Sequence, residues 1–160
     1  FATGYQAPVL KLLTSIRIDD NLLEGKSYYL AEVDTMASLI KEVSAPSQNL
    51  FLLDEVFKGT NTIERIASAK AILSYLNKHA NIVIVSTHDI ELSEFLSKEY
   101  ELYHFEETII NDHLNFDHLL KRGPLKTRNA IKILELSDYP LEIIEEATEL
   151  TKTLMSVNVT

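Results

Sequence analysis

The sequence predicts an α/β fold in which parallel strands alternate with helices. One apolar run, residues 50–53, ends in the adjacent carboxylates Asp54 and Glu55, and a second, residues 82–85, ends shortly before His88. Apolar runs without alternation are typical of strands covered on both faces of a parallel sheet. A helix-like repeat of apolar residues separates the two runs, and the order strand, helix, strand implies a right-handed crossover.

The first half of the chain supplies the elements around these runs. Residues 9–18 are predicted to form the opening strand, and Gly25-Lys26-Ser27 precedes the first helix. Ala45-Pro46-Ser47 ends that helix, and residues 50–56 form the next strand. Helical spacing predicts that the buried face of the first helix consists of Tyr29, Val33, Met36, Ala37 and Ile40.

A second helix is predicted between the two apolar runs. Residues 58–62 form a turn, and Asn61 with Glu64 three residues later resembles a capping box in which Asn replaces Ser or Thr. A strand over residues 82–86 and a short helix over residues 90–96 follow. The buried face of the second helix is predicted to consist of Ile63, Ile66, Ala67, Ile72, Leu73 and Leu76.

The last third of the chain has a different pattern. Two strand-like segments, residues 100–110 and 113–120, flank Asn111-Asp112, a pair that is typical of a hairpin turn. Gly123-Pro124 interrupts the chain, and two helices close it. The second of them is predicted to begin near Pro140, with Ser137 or Asp138 available to cap it.

Length and composition restrict the class of protein. The 160 residues fit one ordinary domain, and the absence of cysteine excludes disulfides and thiolate metal sites. No apolar run reaches the length of a membrane span, and no signal peptide is visible. The first residue is Phe1 rather than Met, as in an excised piece of a longer protein, and we expect a cytoplasmic location.

The charge balance bears on nucleic-acid binding. The chain carries 15 basic and 24 acidic residues, a net charge of −9, whereas DNA binding draws on phosphate neutralisation by Lys and Arg. Any DNA contact of the parent protein is therefore expected elsewhere. A local basic cluster could meet phosphate, although a solvated loop explains it as well; it consists of Lys121, Arg122, Lys126 and Arg128.

The strand ends carry the predicted chemistry. Ligands of parallel sheets bind beyond the carboxyl ends of the strands. There Asp54 can hold Mg²⁺, Glu55 can orient or deprotonate water, and His88 can reach a terminal phosphate. The chain has no glycine-rich phosphate loop of the G-x-x-x-x-G-K-[ST] type. These features indicate part of an ATPase, downstream of its phosphate loop.

Ser27 has two interpretations. A serine at a helix N-terminus presents its hydroxyl, together with free backbone N–H groups, to an anion. It can equally serve as an N-cap and nothing more. The residues by themselves do not decide between these roles.

Four segments together resemble the MutS-type DNA mismatch-repair ATPases. Residues 14–33, which contain Gly25-Lys26-Ser27, are similar to the signature segment of that family. Residues 52–62 resemble its Walker B motif and D-loop, and residues 86–92 its His switch. Residues 120–147 resemble the segment that closes the ATPase domain. The resemblance covers most of the chain, in the order of the family.

The resemblance implies a three-layer P-loop NTPase fold of the ABC type, with flanking helices, a C-terminal hairpin and closing helices. Residues 1–160 would be the C-terminal portion of that ATPase domain. It also implies a homodimer in which each site combines the Walker B motif of one copy with the signature helix of the other. ATP and Mg²⁺ are the implied ligands, and DNA would bind to other domains.

Residue roles follow from the same resemblance. Asp54 would help to hold Mg²⁺, Glu55 would polarise the attacking water, and His88 would sense the γ-phosphate of ATP. Ser27, in the signature segment with Gly25, would reach the nucleotide of the partner copy. The D-loop contact is assigned to Thr60 and Asn61.

The chain departs from the family at two places. Family members usually carry Ser-x-Phe-Met where this chain has Ser27-Tyr28-Tyr29-Leu30, and many carry Gly-Arg where it has Phe57-Lys58. Two alternatives stay open, because of these departures and because the chain has no phosphate loop. One is a non-catalytic dimerisation or regulatory module, and the other is a MutS-like ATPase that acts outside mismatch repair.

Overall fold

The computed structural model describes residues 3–4, 6–16, 28–43, 48–78, 80–110, 113–125 and 129–157. The chain divides into two compact units, Phe1–Leu102 and Tyr103–Thr160. In the first unit the strands are β1 (Lys11–Ser15), β2 (Asn49–Asp54) and β3 (Ile82–Ser86). Its helices are α1 (Tyr28–Glu42), α2 (Thr62–Leu76) and α3 (Ile90–Leu96).

The three strands form one parallel sheet in the order β1-β2-β3. Leu13, Phe51 and Val83 lie side by side in the register, and Asp54 lies beside Ser86 at the end of the sheet. The predicted α/β class, with parallel strands joined through helices, is confirmed. Because strands β2 and β3 run in the same direction, the residues that follow them emerge at the same edge.

The core of the first unit lies on one face of this sheet. Phe51 and Leu53 of β2 are 0% and 3% exposed and pack with residues from all three helices. The opposite face carries the exposed side chains of Leu12, Ile82 and Ile84. Within this unit the described residues therefore form two layers, and the third layer of the predicted ABC-type fold is not among them.

The helical faces differ from the prediction by about one residue. In α1 the structure buries Glu32, Met36 and Leu39, whereas Ala37 of the predicted face is exposed. In α2 it buries Ala69, Leu73 and Leu76, and Ile63 is 82% exposed. The prediction counted only apolar residues, so it did not include Glu32 in the buried face.

Strand β3 is less buried than its sequence suggests. Ile82 and Ile84 are 45% and 58% exposed, because they point away from the helices on the outer strand of the described sheet. Val83 and Val85 point the other way and pack against the core. The prediction of a strand is confirmed, but the prediction that it is buried on both faces is wrong for the described residues.

The second unit contains the predicted hairpin and closing helices. Strands β5 (Glu107–Ile110) and β6 (His113–Phe116) pair antiparallel, with Asn111 and Asp112 outside the described residues. A second antiparallel pair joins β4 (Tyr103–His104) to β7 (Lys121–Arg122). Helices α4 (Ala130–Leu136) and α5 (Leu141–Val157) complete the unit. Helix α5 begins one residue after Pro140, where the prediction placed its start.

The basic cluster of this unit is partly neutralised within the chain. Lys121 forms ion pairs with Glu106 and with Asp117, the latter at 2.7 Å. The hydrogen bond to Asp117 and then that to Glu106 raise the pKa of Lys121. Lys126 and Arg128 lie outside the described residues. The Lys121 ammonium is thus held by carboxylates, which favours the structural interpretation of this residue over a phosphate contact.

None of the helices in the described part of the chain is both long enough and apolar enough to cross a membrane.

Candidate functional site

Asp54 is the last residue of β2 and lies at the edge of the sheet. The Ser86 hydroxyl of the neighbouring strand donates a hydrogen bond to Asp54 Oδ1 at 2.5 Å. The second carboxylate oxygen, Oδ2, is 3.9 Å from Lys58 Nζ. One oxygen is thereby oriented by the sheet itself, while the other faces the turn that follows the strand.

Glu55 leaves the strand through a left-handed backbone conformation with φ of 48°. Its N–H still donates to Ser86 O at 3.0 Å, so the backbone stays attached to β3 while the side chain turns away. Glu55 Oε1 is 3.1 Å from His88 Nε2, and Oε2 is 2.8 Å from Lys58 Nζ. Positive φ in a residue with a Cβ costs on the order of 1 kcal/mol, and such residues cluster at functional sites.

Asp54, Glu55 and His88 therefore lie together at one sheet edge. The sequence placed them there because each follows a strand of the same layer, and their coordinates agree with that geometry. The Glu55 side chain is 24% exposed and that of His88 is 95% exposed. The imidazole thus borders solvent while the carboxylate is partly enclosed, and their chemical roles stay predictions.

Lys58 is a cation that sequence reasoning did not assign to the site. The hydrogen bond to Glu55 raises the pKa of Lys58, with smaller contributions from the charges of Glu55 and Asp54. The side chain is 41% exposed, so this ion pair forms in contact with solvent. It lies three residues after Glu55 in the turn, and this spacing is the signal that could have identified it.

Mg²⁺ is the metal that the sequence assigned to Asp54. Across the residues that the structure describes, no group of three or more His, Asp and Glu side chains is arranged to hold a metal ion by itself. Mg²⁺ is commonly bound through one or two carboxylates, with water and substrate phosphates completing its octahedral shell. A single carboxylate such as that of Asp54, at the carboxyl end of β2, suits that partial coordination.

The remaining predicted site residues have separate positions. Gly25 and Ser27 lie outside the described residues. Asn61 is the N-cap of α2, where its Oδ1 accepts a hydrogen bond from Glu64 N at 3.0 Å. The N-cap bond of the predicted capping box is therefore confirmed, while the Glu64 carboxylate accepts from the Asn61 side-chain amide. Thr60 Oγ1 donates to Glu64 Oε2 at 3.3 Å. Both residues of the predicted D-loop contact are therefore fixed at the start of α2.

Glu32 is a buried acid that the sequence analysis missed. It is 4% exposed, and its Oε1 and Oε2 accept hydrogen bonds from the backbone N–H groups of Lys58 and Gly59 at 2.9 and 3.0 Å. The carboxylate thereby joins α1 to the turn that follows Glu55. An acid at helical spacing from Met36 and Leu39 was the available signal, since a charge within a buried stripe needs partners.

Gly59 lets helix α1 approach this turn closely. A Cβ at Gly59 would lie 3.0 Å from Tyr29 N, Cα and Cβ. The Tyr29 ring also meets the ring of Phe57 edge to face, with centroids 5.8 Å apart and planes at 61°. The turn and the first turns of α1 therefore pack as one structural element.

Gly59→Ala should lower the free energy of unfolding by about 1–3 kcal/mol, because the added methyl forces α1 away from the turn. The comparison is urea denaturation of this variant and of Gly4→Ala, since a Cβ at Gly4 would meet nothing within 4 Å. Equal midpoints for the two variants would contradict the close contact between Gly59 and Tyr29.

A cleft opens beside Glu55 and His88. It has a volume of about 270 Å³ and is lined by Glu55, Val56, Lys58, Arg65, Thr87, His88 and Asp89. Its walls carry both acidic and basic groups, as expected for a site that binds a charged ligand and a cation together. Arg65 and Asp89 form an ion pair that sequence reasoning also missed.

Comparison with known proteins identifies the family. The family described as MutS domain V matches residues 4–155. The DNA mismatch repair protein MutS of Finegoldia magna is 32% identical over 145 residues, covering 89% of this chain and 17% of the relative. That of Aquifex pyrophilus is 30% identical over 146 residues, with 89% and 17% covered. That of Listeria welshimeri is 32% identical over 153 residues, with 92% and 17% covered.

The chain thus spans 17% of the length of these relatives. The family match includes both strands that end in the candidate site, the cleft beside them and the hairpin with its closing helices. The chain belongs to the MutS family, within the region described as domain V.

Proposed function

We propose that this chain forms the C-terminal portion of a MutS-type ATPase domain that binds ATP with Mg²⁺ and hydrolyses it. The observation that carries the proposal is the convergence of Asp54, Glu55 and His88 beside one cleft in a chain of this family. Membership of the MutS family supports an ATPase-type fold. The cleft carries the carboxylate of Glu55, the imidazole of His88 and basic side chains, which are the kinds of group that phosphoryl transfer needs.

Each side chain has a distinct part in this proposal. Asp54 contributes a carboxylate to Mg²⁺, which when bound would neutralise charge on the phosphate oxygens. Glu55 takes a proton from water as the water oxygen bonds to the γ-phosphorus and the bond to the β–γ bridging oxygen breaks. His88, 3.1 Å from Glu55 Oε1 and open to solvent, meets the γ-phosphate through its exposed ring.

The proposed site is completed by a second copy of the domain. Gly25 and Ser27 precede α1, and in the proposal Ser27 reaches the nucleotide of the partner copy. Thr60 and Asn61 form the D-loop contact with the partner copy. The positions of Thr60 and Asn61 at the start of α2 support a rigid presentation of that turn.

In this proposal, DNA binds to other domains of the parent protein. The three relatives are DNA mismatch repair proteins by name. With a net charge of −9, this chain is a poor phosphate-binding surface, so mismatched DNA would bind to other domains and its binding would be coupled to the ATPase cycle. A MutS-like role on other DNA structures uses the same ATPase chemistry.

The regulatory-module alternative has one observation in its favour. Lys58 Nζ is 2.8 Å from Glu55 Oε2 and 3.9 Å from Asp54 Oδ2, so in this arrangement the cation competes with water and Mg²⁺. A module of this kind would bind ATP and dimerise without turnover. Measuring ATP binding and ATP hydrolysis separately on the full-length protein distinguishes the two functions.

A subunit-mixing experiment tests the composite site. Ser27→Ala impairs only the partner's site and Glu55→Gln only its own, so in a mixed dimer both lesions fall on one site. The full-length variants, mixed under conditions in which subunits demonstrably exchange, should hydrolyse Mg²⁺-ATP faster than either variant alone. A mixture no faster than the separate variants, with wild type active, refutes the role of Ser27 across the dimer.

A further inference from the structure

We propose that Arg65 and Asp89 are positioning residues that hold the His88 segment at a fixed distance from Glu55. This inference rests on the proposed function, because it assigns His88 and Glu55 to one reaction. Neither residue is among those that the resemblance assigns to the site. Both line the cleft.

The ion pair has a two-point geometry. Arg65 Nε donates to Asp89 Oδ2 at 2.9 Å, and Arg65 Nη2 donates to Asp89 Oδ1 at 2.7 Å. Two parallel bonds from a planar guanidinium to a carboxylate fix orientation as well as distance. The side chains are 23% and 18% exposed, so the pair is partly withdrawn from water. The hydrogen bond to Asp89 raises the pKa of Arg65.

The side chain of Asp89 does not cap the helix that it precedes. It is the N-cap of α3, where an Asp side chain ordinarily accepts a hydrogen bond from the first turn of its own helix. Here the side chain makes no such bond, and both carboxylate oxygens accept from Arg65 instead. The Asp89 N–H donates to Thr87 Oγ1 at 3.0 Å, which closes a tight bend around His88.

Arg65 is in turn fixed to the other side of the site. It lies in α2 one helical turn after the N-cap Asn61, and its N–H donates to Asn61 O at 2.9 Å. Arg65 therefore lies at the start of α2, directly after the turn of Lys58–Asn61. From there its guanidinium reaches the bend of Thr87–Asp89. His88 itself is 95% exposed, so packing of its ring does not position it.

The chain offers a matched control for a purely structural role. Lys70, five residues further along α2, forms an ion pair with Glu99, three residues after the end of α3. Both side chains are 33% exposed. If ion pairs between α2 and the α3 region served only to stabilise the fold, loss of either pair would affect the protein in the same way.

The experiment compares Asp89→Asn with Glu99→Gln, and Arg65→Gln with Lys70→Gln, in the full-length protein. Loss of the Arg65–Asp89 pair should lower kcat for ATP about 10- to 100-fold with little change in KM, because the reacting groups are misplaced rather than removed. The two control variants should keep the wild-type kcat. Without nucleotide, amide hydrogen exchange of residues 87–89 should be faster in Asp89→Asn and Arg65→Gln than in the wild type. It should be unchanged in the two control variants.

A reversed pair provides the rescue. Arg65→Asp combined with Asp89→Arg restores opposite charges, and it should recover part of the kcat lost by either single change. Equal kcat for Asp89→Asn and Glu99→Gln, with Glu55→Gln inactive, overturns the positioning role and leaves the proposed ATPase standing. Full hydrolysis by Glu55→Gln overturns the role of Glu55 as the base, and a wild-type protein that does not hydrolyse Mg²⁺-ATP overturns the proposed function itself. Unchanged exchange at residues 87–89 in Asp89→Asn also overturns the positioning role.

Discussion

Glu55→Gln should lower ATP turnover by the full-length protein about 10²–10⁴-fold while ATP binding is kept, as is typical for the loss of a general base. The amide has the shape of the carboxylate, but it cannot take a proton from water. It also replaces one of the two oxygens that now contact His88 and Lys58 with an N–H group. Phosphate release under steady-state conditions measures the turnover, and nucleotide titration measures the binding.

Glu94→Gln is the matched control for this change. Glu94 is an exposed acid in the middle of α3, and its substitution removes the same charge without touching the cleft. Its turnover should equal that of the unmodified protein. A Glu55→Gln variant that hydrolyses ATP at the wild-type rate would exclude Glu55 as the base, whatever its contacts.

Glu32→Ala should lower the free energy of unfolding by about 3–6 kcal/mol, because two hydrogen bonds to a charged acceptor, each worth about 1.5–3 kcal/mol, are lost. The N–H groups of Lys58 and Gly59 would be left without their acceptor. Glu32→Gln keeps one acceptor oxygen and turns an N–H group toward the other donor. Its loss of stability should be intermediate.

Urea denaturation of the 160-residue chain measures both changes. Glu42→Gln in the same helix is the control, since Glu42 pairs with Lys11 where both side chains are more than one-third exposed. Such surface pairs contribute about 0–1 kcal/mol. If Glu32→Ala and Glu42→Gln shift the denaturation midpoint equally, the carboxylate of Glu32 does not hold the turn.

The sequence predicted those parts of the fold that are determined by local pattern. The runs before Asp54 and His88 gave two parallel strands and one shared edge, and Asn61 with Glu64 gave the start of α2. Asn111-Asp112 gave the hairpin between β5 and β6. Within each strand, cap or turn, the residues that decide the structure are close together along the chain.

The parts that could not be predicted depend on contacts between distant segments. Arg65 and Asp89 are 24 residues apart, and helical periodicity does not tell which residue of α2 faces the end of β3. Glu32 was missed because its burial depends on two backbone N–H groups 26 and 27 residues away. The exposure of Ile84 depends on which strands lie beside β3.

The left-handed conformation of Phe57 has a consequence for motion in the site. Phe57 has φ of 64° and is 5% exposed. A glycine would let this turn change shape by itself at little energetic cost. The aromatic ring, packed against Tyr29, instead ties any rearrangement of the turn to a displacement of α1. In this protein the turn after Glu55 and helix α1 should therefore move together as one rigid unit.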